Sequence, residues 1–230
     1  LPSPRIMIRG KSRNNAGPAP LSGAGPCLCG FGASYRATES FWCIGSKLCW
    51  ANGLSAARLN AIVFPHHRRS RFHPLLCAEM ADFAELSTLT GIPAETFPKG
   101  TGRCLTKNLK LLDTIAYTDL RFCPRCLASG FHSVLMQFPL FARCPIHRLT
   151  LVDHCNTCGC AIEYAWPDSA LKAFHCACGA TLWQPRQFSQ TAEVAHENQM
   201  KALCDDSARW IARTLRIATN GAALHRNDMR

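Results

Sequence analysis

Eight residues in the middle of the chain have the types and spacing to hold metal ions. Cys123-Pro-Arg-Cys126 is followed, seventeen residues later, by Cys144-Pro-Ile-His147. Cys155-Asn-Thr-Cys158 is followed, again after seventeen residues, by Cys176-Ala-Cys178. Two residues between ligands let a tight turn aim both side chains at one tetrahedral ion, and four paired half-sites in succession with equal spacers are the pattern of structural zinc. The spacing predicts one site of three cysteines and a histidine (Cys123, Cys126, Cys144, His147) and one of four cysteines (Cys155, Cys158, Cys176, Cys178). Gly159 and Gly179 follow knuckles, where a positive φ lets backbone amides turn toward the sulfurs. His154, Cys160 and His175 lie close enough to act as ligands but read as neighbours of the sites. Cys27-Leu-Cys29 lacks a partner pair and is left free.

Four protein ligands complete a tetrahedral zinc ion and leave no position for water or substrate, so both predicted sites, two ions in all, are structural and not catalytic. Other enzyme signatures fail. His196-Glu197-Asn198-Gln199-Met200 opens like a zinc-protease helix but carries Met where the second His belongs. No H-x-E precedes a P-C-x-x-C, as a zinc deaminase requires, and neither a phosphate loop nor a nucleophile elbow is present. We expect no enzymatic activity. The 15 cysteines are not read as a disulfide scaffold, because they cluster with histidine in a chain without an export signal, which suits a reducing cytoplasm.

The elements that must carry these sites read as helices. Thr38 to Asn52 places Phe41, Ile44, Leu48 and Ala51 on one helical face and stops at Asn52-Gly53. Ser55 caps a second helix through Leu59 and Ile62, ending near Phe64 because Pro65 follows. Glu79 to Thr90 predicts a helix with Phe83 and Leu86 inward, Gly91 as its left-handed stop, and Pro93 opening a short helix through Phe97. That is a helix-turn-helix outline, although the second arm offers a DNA groove little beyond Glu95 and Thr96, and a plain helical hairpin is the favoured reading. Leu105, Leu109, Leu112 and Ile115 form a further core stripe. Beyond Trp183, Thr191 to Leu215 reads as an amphipathic helix over the core, with Trp210 a candidate docking residue. The expected class is mainly α with small zinc-ribbon or knuckle elements. The expected organisation is a flexible basic tail (1–36), a helical, helix-turn-helix-like region (37–119), a double zinc module (120–186) and a C-terminal helical segment (187–230).

Lys and Arg outnumber Asp and Glu by 26 to 15. Seven thiolates and two zinc ions leave the balance basic, which favours a polyanionic partner such as nucleic acid. No window approaches the roughly 18 uninterrupted apolar residues of a membrane span, and we expect a soluble protein. Arg121, Arg125, Arg143 and Arg148 cluster around the first site and are the leading phosphate-contact candidates, because a guanidinium suits bidentate phosphate binding. Arg68, Arg69 and Arg71, in the run His66 to His73, suit phosphate contact and a solvated loop equally.

Three stretches of the chain carry a family likeness: ATESFWCIGSKLCWANGLS from Ala37 to Ser55, ELSTLTGIPAETF from Glu85 to Phe97, and the region from Leu120 to Trp183. In the last, C-P-x-C, an aromatic-rich linker, C-P-x-H, C-x-x-C-G and C-x-C-G follow in order. The chain thereby resembles the TniQ family of transposon target-site selectors, to which TnsD also belongs, over about residues 37 to 185. The resemblance implies a helical region joined to zinc fingers, acting in DNA transposition as a target-selection adaptor of a mobile element. Such an adaptor connects a double-stranded DNA target, or a complex bound to it, to an AAA+ ATPase that regulates transposition, and cuts nothing. In some relatives an RNA-guided CRISPR effector complex finds the target and the adaptor is a homodimer; in others the protein reads duplex DNA itself. The implied location is the bacterial cytoplasm, at the nucleoid. The rival readings are a zinc-organised protein-interaction module and a sequence-specific DNA-binding regulator.

Overall fold

A computed structural model describes residues 28, 35–36, 38–65, 74–78, 81–166, 172–183, 199 and 201–213. Helix α1 (Phe41–Asn52) starts where the Ser40 hydroxyl accepts the Cys43 amide at 3.1 Å and stops where Gly53, at φ +62°, turns its amide back to Cys49. Both ends follow from residue type, an oxygen-bearing N-cap and a glycine in the left-handed region. Helix α2 (Ala56–Val63) is capped by Ser55 and α4 (Phe83–Thr90) by Asp82, with Gly91 at φ +70° closing α4. Between them lies α3 (Pro74–Cys77). The predicted start of α4 at Glu79 moves to Phe83, because Asp82 takes the capping position; Glu79 itself lies outside the described residues.

The outline of helix, turn and helix is present, but its second arm, Ala94–Gly100, is a 3₁₀ helix with Pro98 inside and Phe97 fully buried. That arm serves the core, as a plain hairpin would. Helix α5 (Leu109–Ile115) is capped by Asn108 and buries Leu112, while Leu105 of the expected stripe is buried in the turn ahead of it. Helix α6 (Pro124–Ala128) grows out of the first knuckle, with Pro124 in the first turn, where its missing N–H costs nothing. The C-terminal helix, α7, is described over 201–213.

Among the described residues the fold is mainly helical, without strands; the expected ribbon elements are isolated antiparallel bridges. Three of these pinch knuckles: Arg143 with Thr150, His154 with Ala161, and His175 with Thr181. No described helix is long and apolar enough to cross a membrane.

Helix α1 departs from the one-faced reading. Every residue from Phe41 to Cys49 is buried, Lys47 included. The second face is covered by the cysteine-rich region. Trp42 stacks on Tyr164 with centroids 6.2 Å apart, meets Phe174 edge-on at 5.6 Å, and donates its indole N–H to Ala165 O at 2.8 Å. Phe41 packs edge-on against Trp166 at 5.2 Å. Gly45 is required by this contact, since a Cβ there would stand 2.2 Å from the Trp166 ring. One buried cluster therefore runs from Phe41 through the knuckles to Ile211. The expected boundary between 119 and 120 passes through the middle of that core.

Two buried polar contacts fasten α1 to the knuckle region. The Lys47 ammonium lies 2.6 Å from the Glu39 carboxylate, both essentially without exposure, and Glu39 forms a backbone bridge with Ser133. His132, wholly buried, has Nε2 at 2.8 Å from Arg121 O and Nδ1 at 2.7 Å from Ser40 Oγ. A carbonyl can only accept, so Nε2–H donates to Arg121 and Nδ1 accepts from the serine hydroxyl. Burial pushes the His132 pKa down to about 4, against which the Arg121 carbonyl gives partial relief. The imidazole should remain neutral at pH 6, visible as a Cε1 proton shift that does not titrate between pH 7.5 and 5. Because its folded pKa is depressed, its share of stability is fully present above about 6.5 and is lost as pH falls toward about 4, a contribution of roughly 3 kcal/mol.

Candidate metal centre

The first half-site is set by α6: Cys123 is its N-cap and Cys126 lies in its first turn, so one short helix presents both sulfurs to the same side. The other half-site is the turn Cys144–His147, where the His147 amide donates to Cys144 Sγ at 3.3 Å. Cys126 Sγ lies 3.6 Å from Cys144 Sγ, and His147 Nδ1 lies 3.5, 3.2 and 3.7 Å from the sulfurs of Cys123, Cys126 and Cys144. In the second group Cys155 and Cys178 sulfurs are 3.8 Å apart and those of Cys158 and Cys176 3.6 Å. Within each group of four the donor atoms all lie within 4.8 Å of one another.

A zinc ion with sulfur at about 2.3 Å and nitrogen at about 2.0 Å has tetrahedral edges of about 3.8 Å between sulfurs and about 3.5 Å from sulfur to nitrogen. The observed separations match these edges. The donors, thiols with a single imidazole, are the soft set that suits zinc over calcium or magnesium. The two clusters can thus hold metal ions, and all eight residues singled out by spacing are the ones brought together.

One cysteine in each group is drawn toward the thiolate, while Cys126, Cys144, Cys158 and Cys176 are held above the usual thiol range. The Cys155 thiol is held low, at about 6, by amide N–H groups of Cys158 and Thr157. Cys123 is drawn well below the usual thiol range by the Cys126 and Cys144 thiols that donate to it. Knuckle closure supplies further order. Gly159, at φ +72°, donates to Cys155 O at 2.8 Å, and Gly179, at φ +89°, donates to Cys176 O at 2.9 Å. At the first cluster the same place belongs to Arg148, which donates to Cys144 O at 2.9 Å from φ +58°. An L-residue there carries strain of about 1–2 kcal/mol.

The two groups differ in setting. Cys123, Cys126 and Cys144 are buried in the common core, whereas Cys158 and Cys178 face solvent. The neighbours fall outside both donor sets. His154 pairs with Asp153, Cys160 is exposed, and His175 contacts Ala173 O through Nδ1 and the Thr181 hydroxyl through Nε2. Cys27 and Cys29 lie outside the described residues.

The phosphate-contact candidates separate. Arg121 is corrected: its guanidinium is buried, donates to the carbonyls of Met136, Phe138 and Phe141 at 3.1–3.3 Å, and stacks 4.2 Å over Tyr117. It organises the linker between the half-sites and is committed there. Arg125, Arg143 and Arg148 are exposed, each next in sequence to a ligand of the first cluster. Arg68, Arg69 and Arg71 lie outside the described residues. Sequence reasoning missed Arg121 and His132 as internal struts, since neither residue type signals burial and their partners are backbone carbonyls more than ten residues away.

Residues 31–151 match the TniQ family model, just over half of the chain. The match takes in α1 to α6 and the whole first cluster and ends before Cys155, short of the likeness through residue 185 expected from the motifs. No curated protein matches the chain. With the first cluster, the helices packed on it and the intervening linker all inside the matched span, the chain belongs to the TniQ family, whose general association is with target selection in transposition.

Proposed function

We propose that the chain is a target-selection adaptor in DNA transposition that joins a target DNA site, or a complex bound there, to an AAA+ regulator, with two structural zinc ions at Cys123, Cys126, Cys144 and His147 and at Cys155, Cys158, Cys176 and Cys178. The observation that carries this reading is the family match over the first cluster. The closed donor sets support it, since four protein ligands per ion leave no open coordination position for catalysis. Arg125, Arg143 and Arg148 supply the nucleic-acid contact. Arg148 in particular holds a strained backbone position where the second cluster uses glycine, a departure that makes sense where the side chain is used.

The test is fluorescence anisotropy of a labelled random duplex titrated with zinc-loaded protein at 50 and 200 mM salt. Binding should weaken steeply with salt, because each neutralised phosphate releases counterions. Substitution of Arg125, Arg143 and Arg148 together by Gln should shrink the slope of log K against log salt by up to about 3 while leaving the melting temperature in place. Duplex affinity that ignores both salt and these substitutions rejects the arginine surface. A protein-interaction reading has one observation in its favour, the exposed Leu140 and Leu149, which flank the Cys144–His147 turn in sequence. Absence of duplex binding even at low salt would select it.

A further inference from the structure

Helix α7 meets the rest of the molecule along a narrow stripe, Cys204, Ser207 and Ile211, with Trp210 more than half exposed on its other side. Its first buried residue sits on the 3₁₀ turn Gly102–Cys104, where the Cys204 thiol donates to Cys104 O at 3.9 Å. These cysteines, one hundred positions apart, belong to neither metal cluster. Both line a cavity of about 490 Å³ whose wall also carries Arg36, Lys99 and Lys201 against one acid, Asp205. The cavity thus leads an anionic reagent to the thiol pair.

We propose that Cys104 and Cys204 are a reversible disulfide site, oxidised by an anionic small-molecule disulfide such as glutathione disulfide, which fastens α7 to the helical body. The roles of the two sulfurs follow from their contact. On the shared cavity wall Cys104 draws the Cys204 thiol below the usual thiol range, while Cys204 and burial hold Cys104 above it. The Cys204 thiolate is the nucleophile. It attacks one sulfur of glutathione disulfide, forming a mixed disulfide and expelling glutathione thiolate, which takes up a proton. Cys104 then loses its proton and attacks Cys204 Sγ, releasing the second glutathione. The sum is a protein dithiol and one glutathione disulfide converted into a protein disulfide and two glutathione thiols. Reduced glutathione reverses it. A helix held by so few buried residues is free to leave in the reduced state, so the covalent bond decides whether α7 stays docked.

The experiment equilibrates the full zinc-loaded chain in glutathione buffers of rising oxidised fraction, quenches with acid and maps tryptic peptides by mass. The expected product joins residues 104–107 to residues 202–209 and is two hydrogens lighter than the separate peptides, with zinc content unchanged. Amides of 201–213 should exchange at least tenfold more slowly in the oxidised form. The Cys104→Ser variant should retain its zinc and instead accumulate glutathione on Cys204, which distinguishes a trapped first step from a misfolded chain. Overturning results are the absence of the cross-linked peptide at the highest oxidised fraction, its appearance only after zinc is lost, or unchanged exchange of α7 on oxidation.

Discussion

Replacement of Cys126 by serine should remove one zinc ion and the cooperative fold with it. Cys123, Cys126 and Cys144 are buried inside the same cluster as Phe122, Leu127 and Phe131, so the first metal would lie within the core. Binding of structural zinc is worth on the order of 10–16 kcal/mol in small domains, against a total stability of about 5–15 kcal/mol for a typical protein. The remaining ligands would take up protons and be left as buried polar groups without the metal that ties them together. Near-ultraviolet circular dichroism should show no melting transition in Cys126→Ser. The second cluster is expected to behave differently. Two of its ligands, Cys158 and Cys178, face solvent, so Cys158→Ser should loosen the region carrying Tyr164, Phe174 and Trp183 while α1 to α6 stay folded. A chromophoric chelator should accordingly remove the two metals in sequence, the second-cluster ion first. A Cys126→Ser protein that melts normally with one zinc fewer would show that the first cluster is peripheral to the fold.

The second large effect concerns the buried ion pair. Lys47→Met should destabilise the protein by about 3–5 kcal/mol, because it leaves the Glu39 carboxylate buried without its partner. Burial alone would lower the lysine pKa, but Glu39 outweighs it, and the net direction is upward. A lysine raised in this way contributes fully below its ordinary value near 10.5 and loses that contribution only as pH rises through the higher folded value, so neutral-pH measurements see all of it. The double replacement Glu39→Gln with Lys47→Met should recover much of the loss, since no uncompensated charge remains. Urea unfolding of the two singles and the double, combined in a thermodynamic cycle, measures the coupling. Additive single effects would mean that the pair is not a unit.

Conditions for this cycle follow from the other buried groups. The Cys43 thiol, pushed well above the usual range by burial and then by Glu39, stays protonated at neutral pH and adds no third charge to the pair. His132 begins to lower stability only below about 6.5, so the cycle is best measured at pH 7 to 8.

Local chemistry was legible in the chain. Knuckle spacing singled out the eight residues that come together in two groups able to hold a metal, since separations of one or two residues dictate a turn that aims both side chains one way. Ser55, Gly53 and Gly91, and the glycines after the second-cluster knuckles, mark their turns because a side-chain oxygen or a missing Cβ acts within a few residues. The short helices at Pro74–Cys77 and Pro124–Ala128 were not legible, whereas the mainly helical class follows from the same short-range rules. What joins the elements does not. Pairing of Lys47 with Glu39, the anchoring of Arg121 on three carbonyls and the approach of Trp166 to Gly45 depend on segments that are distant in sequence and have no periodicity to announce them. A charged residue in a helical pattern reads as solvated until a second layer covers it. By itself the sequence singled out the side chains able to bind metal and where the first helices stop; only the tertiary structure decided that the metal clusters and the helices share one core, because burial is a property of the faces that meet and not of the residues that form them.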